Sequence, residues 1–97
     1  VAQFEVYKTT DGALVCDLQT DLIDVRSTRV VAPLAHESDL GTASNLTPAV
    51  MFEGRPWVVL IPLMAAVPRN RLSDPLASLS PHRDAIKRAI DMLIDGV

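Results

Sequence analysis

The stretch SPHRDAIKRAIDMLIDGV, Ser80 to Val97, decides how the rest of the chain is read. Ser80 followed by Pro81 has the form of an N-cap and first helical position: the serine oxygen accepts an otherwise unpaired backbone N–H, and proline lacks the donor that would go unpaired there. Ile86, Ala89, Ile90, Leu93, Ile94 and Val97 then recur at spacings of three and four, which places them on one helical face. Asp84, Lys87, Arg88, Asp91 and Asp95 fall on the other. The spacing predicts a helix that packs with one side and is wet on the other. Gly96 and Val97 follow it directly, so a short apolar tip within reach of a partner is expected.

Upstream of this helix the pattern changes to strands. Gln3 to Lys8 alternates, with Phe4 and Val6 on one side and Glu5 and Tyr7 on the other, and Ala13 to Leu18 resumes with Leu14, Cys16 and Leu18 on one face. Thr9, Thr10, Asp11 and Gly12 supply turn chemistry between them, so a hairpin is expected. Arg29 to Leu34 reads as a mostly buried strand, with Pro33 placing its end near an edge or a bulge. Ala35 to Thr47 has no sustained period and reads as a long connection with room for one short edge strand. Pro48 to Phe52 and Trp57 to Leu63 flank Glu53-Gly54-Arg55-Pro56, where the glycine supplies the positive φ of a tight turn. Val58 to Ile61 is apolar on both faces, as suits the centre of a sheet. The uncharged run from Val58 to Val67 leaves apolar surface for a second subunit.

Composition sets the limits. Ninety-seven residues with 48% apolar and 22% charged side chains describe one folded domain, residues 1–97, and an aromatic share of 4% makes its core aliphatic. A core of that size covers a modest part of its own surface, so a homodimer is expected. A net charge of −3 opposes a surface that neutralises phosphates, which argues against DNA binding by this chain alone. Cys16 is the single cysteine, so no intramolecular disulfide forms, and the spacings of a zinc site are absent. Its strand setting makes it a core residue in a reducing compartment. No metal or cofactor is expected. The longest apolar run, Trp57 to Ala66, is broken by Pro62 and short of the roughly 20 residues that cross a bilayer. The N-terminus lacks a basic segment followed by an apolar one, so no membrane partner and a cytoplasmic location are expected.

Three smaller readings complete the pass. The acids from Asp17 to Asp24 read as an exposed loop whose carboxylates cap turns, in preference to a metal or acid–base site. Leu22 and Ile23, adjacent in that loop, point to opposite sides of an extended backbone, so at least one is expected to be exposed. His36 reads as a solvated loop residue, and Trp57 as part of the core or of a dimer surface.

Taken in order, Gln3-Phe4 and Val6-Tyr7, the run Asp17 to Asp24, Val31-Ala32-Pro33-Leu34-Ala35, Leu46-Thr47-Pro48-Ala49-Val50, Met64-Ala65-Ala66-Val67-Pro68, Leu79-Ser80 and the run Ala89 to Val97 resemble the CcdB toxins, the toxic half of a plasmid-type toxin–antitoxin pair. No single motif carries the resemblance; their order and spacing along the whole chain do. It implies a mostly β fold with a C-terminal α-helix, an SH3-like barrel whose antiparallel sheet is extended by a small second sheet, assembled as a homodimer. The activity it implies is not catalysis: the dimer binds the A subunit of DNA gyrase, a type II topoisomerase, and traps the cleaved DNA complex. A CcdA-like antitoxin with a disordered C-terminal segment is implied to wrap the toxin, neutralise it and repress the operon together with it, DNA being reached only through that complex.

The positions that match the family's gyrase-binding surface are Leu22, Ile23, Asp91, Ile94, Asp95, Gly96 and Val97. Asp95 departs from the pattern, because the family typically has a tryptophan there that stacks on a gyrase arginine. An aspartate meets an arginine differently, through a charge-assisted hydrogen bond about twice as strong as a neutral one. Asp91 and Asp95 also oppose the helix dipole and repel each other, which leaves two readings open: a fully exposed end screened by water and salt, or a cationic partner. Two other functions compete. A MazF- or Kid-like ribonuclease on the related barrel would draw on His36, Arg69, Arg71 and His82, and an antitoxin-binding operon co-regulator that no longer poisons gyrase would account for Asp95.

Overall fold

Period-two alternation in the first half of the chain becomes an antiparallel meander. The computed structural model describes residues 2–22, 27–40 and 43–96. Within it β1 (Glu5–Lys8) pairs with β2 (Leu14–Asp17), the Thr9 N–H closing the turn on the Ala13 carbonyl at 2.8 Å. β2 pairs in turn with β3 (Thr28–His36), the longest strand. Val31 of β3 faces Asp17 on one side and Ala65 of β6 (Ala65–Pro68) on the other, and further along β3 the place of β6 is taken by β5 (Arg55–Val59). With β4 (Ala49–Phe52) outside β5 and β7 (Ala77–Ser78) outside β1, the order is β4-β5-β3-β2-β1-β7, a nearly closed, barrel-like sheet. Helix α1 (Glu37–Leu40) follows β3, and α2 (Arg83–Asp95) ends the fold.

The inner face of the barrel collects Val6, Cys16, Ala32, Val59 and Ile61, all fully buried. A smaller cluster of Tyr7, Val15 and Val31 lies on the other face, so the central strands are covered on both sides. Helix α2 closes the larger cluster with Ile86 and Ala89, assisted by Leu79 just before it. Each valine, leucine or isoleucine side chain here contributes roughly 1.5–3 kcal/mol on burial. Cys16 is among them, and burial, with a smaller push from Asp17, raises its thiol pKa to about 12.

Several expectations are corrected. The connection read from Ala35 to Thr47 starts later, because β3 runs on to His36, which pairs with Trp57 across the sheet. Pro33 therefore lies inside the strand. Its carbonyl accepts the Leu60 N–H at 2.9 Å, and its nitrogen, which cannot return that bond, lies at the seam where β6 has ended and β5 pairs only from Leu34 onward. The second hairpin turns in Glu53 and Gly54 alone, with φ of 53° and 73°, and Arg55 and Pro56 already belong to β5. Two positive angles match the twist of the flanking strands, and Glu53 holds one of them without glycine's freedom. Ser80 begins a 3₁₀ turn, Ser80–His82, as its first residue and supplies no cap; α2 starts after it. Proline sits in the first positions of that turn, as its missing donor favours.

Candidate functional site: the helix tip and the adjoining loop

The apolar stripe of α2 outruns the barrel beneath it. Ile86 and Ala89 are buried and Ile90 is half-buried against the core, but Leu93 is 37% exposed and Ile94 67% exposed. Periodicity put all four on one face with Ile86; the barrel covers only the first part of it. Beyond lie Asp91, Asp95 and Gly96, all exposed. Gly96 ends the helix in the left-handed region, φ 77°, and its N–H donates to the Met92 carbonyl at 3.0 Å. The last turn holds no basic residue, so Asp95 lies at the negative end of the helix dipole without a cation in its own turn, and Asp91 stands one turn earlier.

The second part of the surface comes from the segment after β2. Leu22 is 94% exposed, with its N–H bonded to the Thr20 hydroxyl at 3.2 Å. A branched aliphatic so fully in water fits the expectation that one of the Leu22–Ile23 pair is uncovered. Ile23 and Val97, the two other expected positions, lie outside the described residues. Between the start of this loop and α2 is a shallow depression of about 450 Å³, lined by Gln3, Leu18 and Thr20 on one wall and Lys87, Ile90 and Asp91 on the other. Asp91 is thus brought to the loop side of the helix, whereas Ile94, Asp95 and Gly96 stand at its free end.

The acids of this loop are not all exposed, and here the sequence reading is overturned. Asp17 is fully buried at the end of β2, held by the Arg29 Nε at 2.8 Å and by the Gln19 N–H at 2.9 Å. Arg29 Nη2 donates to the Gln19 carbonyl at 3.0 Å and to Asp21 Oδ1 at 3.3 Å. Burial lowers the pKa of Arg29, but its bonds to Asp17 and then Asp21 outweigh this and the net shift is upward. Nothing in the local pattern marks Asp17 as different from its neighbours. The available signal was Arg29 itself, since an arginine opening an apolar strand requires a carboxylate within reach.

The residues nominated for ribonuclease chemistry are scattered. His36 is no solvated loop residue: it is half-buried in β3, its ring stacked on Trp57 with centroids 3.8 Å apart, because the strand register sets the two opposite each other. His82 Nε2 accepts the Met51 N–H at 3.3 Å, and Arg71 lines a separate hollow with Lys8 and Thr10. The arginine that shares a depression with His36 is Arg55, together with Glu37 and Ser38. Among the described residues, no group of three or more His, Cys, Asp or Glu side chains gathers as a metal site, and no helix is long and apolar enough to cross a membrane.

An all-but-closed antiparallel barrel, a C-terminal helix with an uncovered apolar and acidic tip, and an exposed aliphatic loop beside it are the frame onto which a family match falls. The family model described as CcdB protein matches residues 3–96, nearly the whole chain, and the chain belongs to the CcdB family, the toxins of the Ccd toxin–antitoxin system.

Proposed function

We propose that this chain is a gyrase poison that acts as a homodimer: it binds the A subunit of DNA gyrase through Leu22, Ile23, Asp91, Ile94, Asp95, Gly96 and Val97 and holds the enzyme on cleaved DNA. The observation that carries this reading is the uncovered end of α2, where Leu93 is partly and Ile94 largely exposed beside two carboxylates that no basic residue of the last turn offsets. Such a tip suits a partner that offers an apolar contact and a cation together. In the family that cation is an arginine of the gyrase A subunit. Asp95 meets it with a charge-assisted bond where a tryptophan would stack.

The homodimer rests on a second uncovered surface. Leu63 is 63% exposed, and Pro62, Ala65 and Ala66 beside it are exposed as well, in the uncharged run singled out in the sequence. Helix α2 packs on the 3₁₀ turn Ile61–Leu63, so a second subunit on this patch would lie beside an element that touches α2. A single toxin domain spanning residues 1–97, a cytoplasmic location, neutralisation by a CcdA-like antitoxin and operon repression by the joint complex belong to the same proposal.

The test is a supercoiling assay with gyrase from the native host. Inhibition with accumulation of cleaved DNA, reversed by the antitoxin, is expected. Unimpaired supercoiling by a protein that still binds its antitoxin would transfer the reading to an operon co-regulator, and cleavage of single-stranded RNA without metal, abolished by Arg55→Ala, would transfer it to a ribonuclease.

A further inference from the structure

The exposed Leu22 stands one residue beyond a chain of bonds that begins in the core. Buried Asp17 fixes the Arg29 guanidinium through Nε, and the same guanidinium reaches outward through Nη2 to Asp21 Oδ1. That one oxygen also accepts the Gln3 N–H at 3.0 Å, while Gln3 Nε2 donates to the Leu18 carbonyl at 3.1 Å. Gln3 is held there by a turn of residues 2–5, closed by the Glu5 N–H on the Ala2 carbonyl, in which Phe4 adopts a left-handed φ of 68°. A bulky side chain in that region is strained, and here it is retained with Phe4 buried in the core. Gln3, Leu18 and Thr20 form the wall of the depression that faces Ile90 and Asp91 of α2.

We infer that Asp21 is a positioning residue: by joining Arg29 to the Gln3 backbone through one oxygen, it sets where Leu22 stands relative to helix α2. The inference rests on the proposed function only for what Leu22 meets. The Asp21 side chain is 57% exposed, so removing it leaves the buried Asp17–Arg29 pair and the fold in place. Asparagine keeps a carbonyl oxygen at the same point and can accept from both donors, whereas alanine accepts from neither. Geometry and charge are thereby separable.

The experiment compares the full-length parent with Asp21→Asn, Asp21→Ala and Leu22→Asp. In Asp21→Ala the Gln3 amide is expected to exchange with solvent at least about 10-fold faster, and the Leu22 backbone order parameter to fall toward the flexible range below about 0.6, with α2 unchanged. Asp21→Asn should behave as the parent. In titrations with a purified gyrase A fragment, Asp21→Ala should bind on the order of 10-fold more weakly, Asp21→Asn within about threefold of the parent, and salt should affect all three alike. Parent-like exchange and order in Asp21→Ala would overturn the inference, as would equal loss of binding in the Asn and Ala forms, which would make Asp21 a direct charge contact. Parent-like binding by Leu22→Asp would instead sink the proposed gyrase surface, while exchange and order still judge the role of Asp21.

Discussion

The first turns of helix α2 and its last one carry the same kind of side chain into opposite surroundings. Ile86 is wholly buried on the barrel, and Ile94, two turns on and near the same face, is two-thirds exposed. The charges differ in the same sense. Asp17 in the barrel wall is buried and paired with Arg29, whereas Asp95 at the tip has no basic residue in its own turn. One region spends its side chains on stability and the other holds them ready for a partner.

The sharpest way to break this contrast is through the barrel. Arg29→Met leaves Asp17 buried without its cation, and the expected cost is about 3–5 kcal/mol, read as a large fall in the denaturant midpoint. A variant as stable as the parent would show that Asp17 is reached by water after all. Next, Ile86→Ala should cost about 2–5 kcal/mol, against less than about 0.5 kcal/mol for Ile94→Ala. Thermal midpoints that fall equally would erase the difference between the two ends of the helix.

A pH titration of stability sharpens it further. Burial holds the Cys16 pKa at about 12 in the folded chain, above the value near 8.5 of a free thiol, so the native state keeps its proton longer than the unfolded one. The stability this gives is fully present below about pH 8.5 and is lost as pH rises toward 12. Tyr7, also shifted upward by burial and by its hydrogen bond to Glu5, adds to the loss above its ordinary value. Cys16→Ala should therefore lose stability less steeply than the parent between pH 8.5 and 10; an identical slope would mean that the thiol is open to water. The smallest effect belongs to the tip, where Asp95→Asn should raise stability by about a few tenths of a kcal/mol by removing an anion from the negative end of α2.

What the sequence disclosed follows from the range of its signals. The helix face, the two hairpins and the burial of Cys16 rest on spacings of two to four residues, and these were legible. How far the apolar stripe stays covered was not, because that depends on where the barrel stops beneath α2. Asp17 looks like a loop acid in the sequence because its partner, Arg29, lies across a strand pairing and not in its own neighbourhood. The strand position of His36 is invisible for a similar reason: only the register of β3 on β5 sets it against Trp57. Pro33 misled because its strand changes neighbours at that point. Of the expected site, the exposure of Leu22 and Asp95 agrees with the reading of the residues and that of Ile94, placed by its spacing on the packed face, departs from it, while the choice of all three came from the family resemblance.

The central claim is that the uncovered tip and loop bind the gyrase A subunit, and a calorimetric titration of a gyrase A fragment into the parent, Ile94→Asp and Leu22→Asp tests it most directly. All three should fold alike, since both substituted side chains already stand in water. The account predicts saturable binding by the parent, reduced at least about 100-fold in each variant, because a charge in place of an apolar contact is left desolvated without a partner. Absence of binding by the parent, or equal affinity in all three, would contradict it.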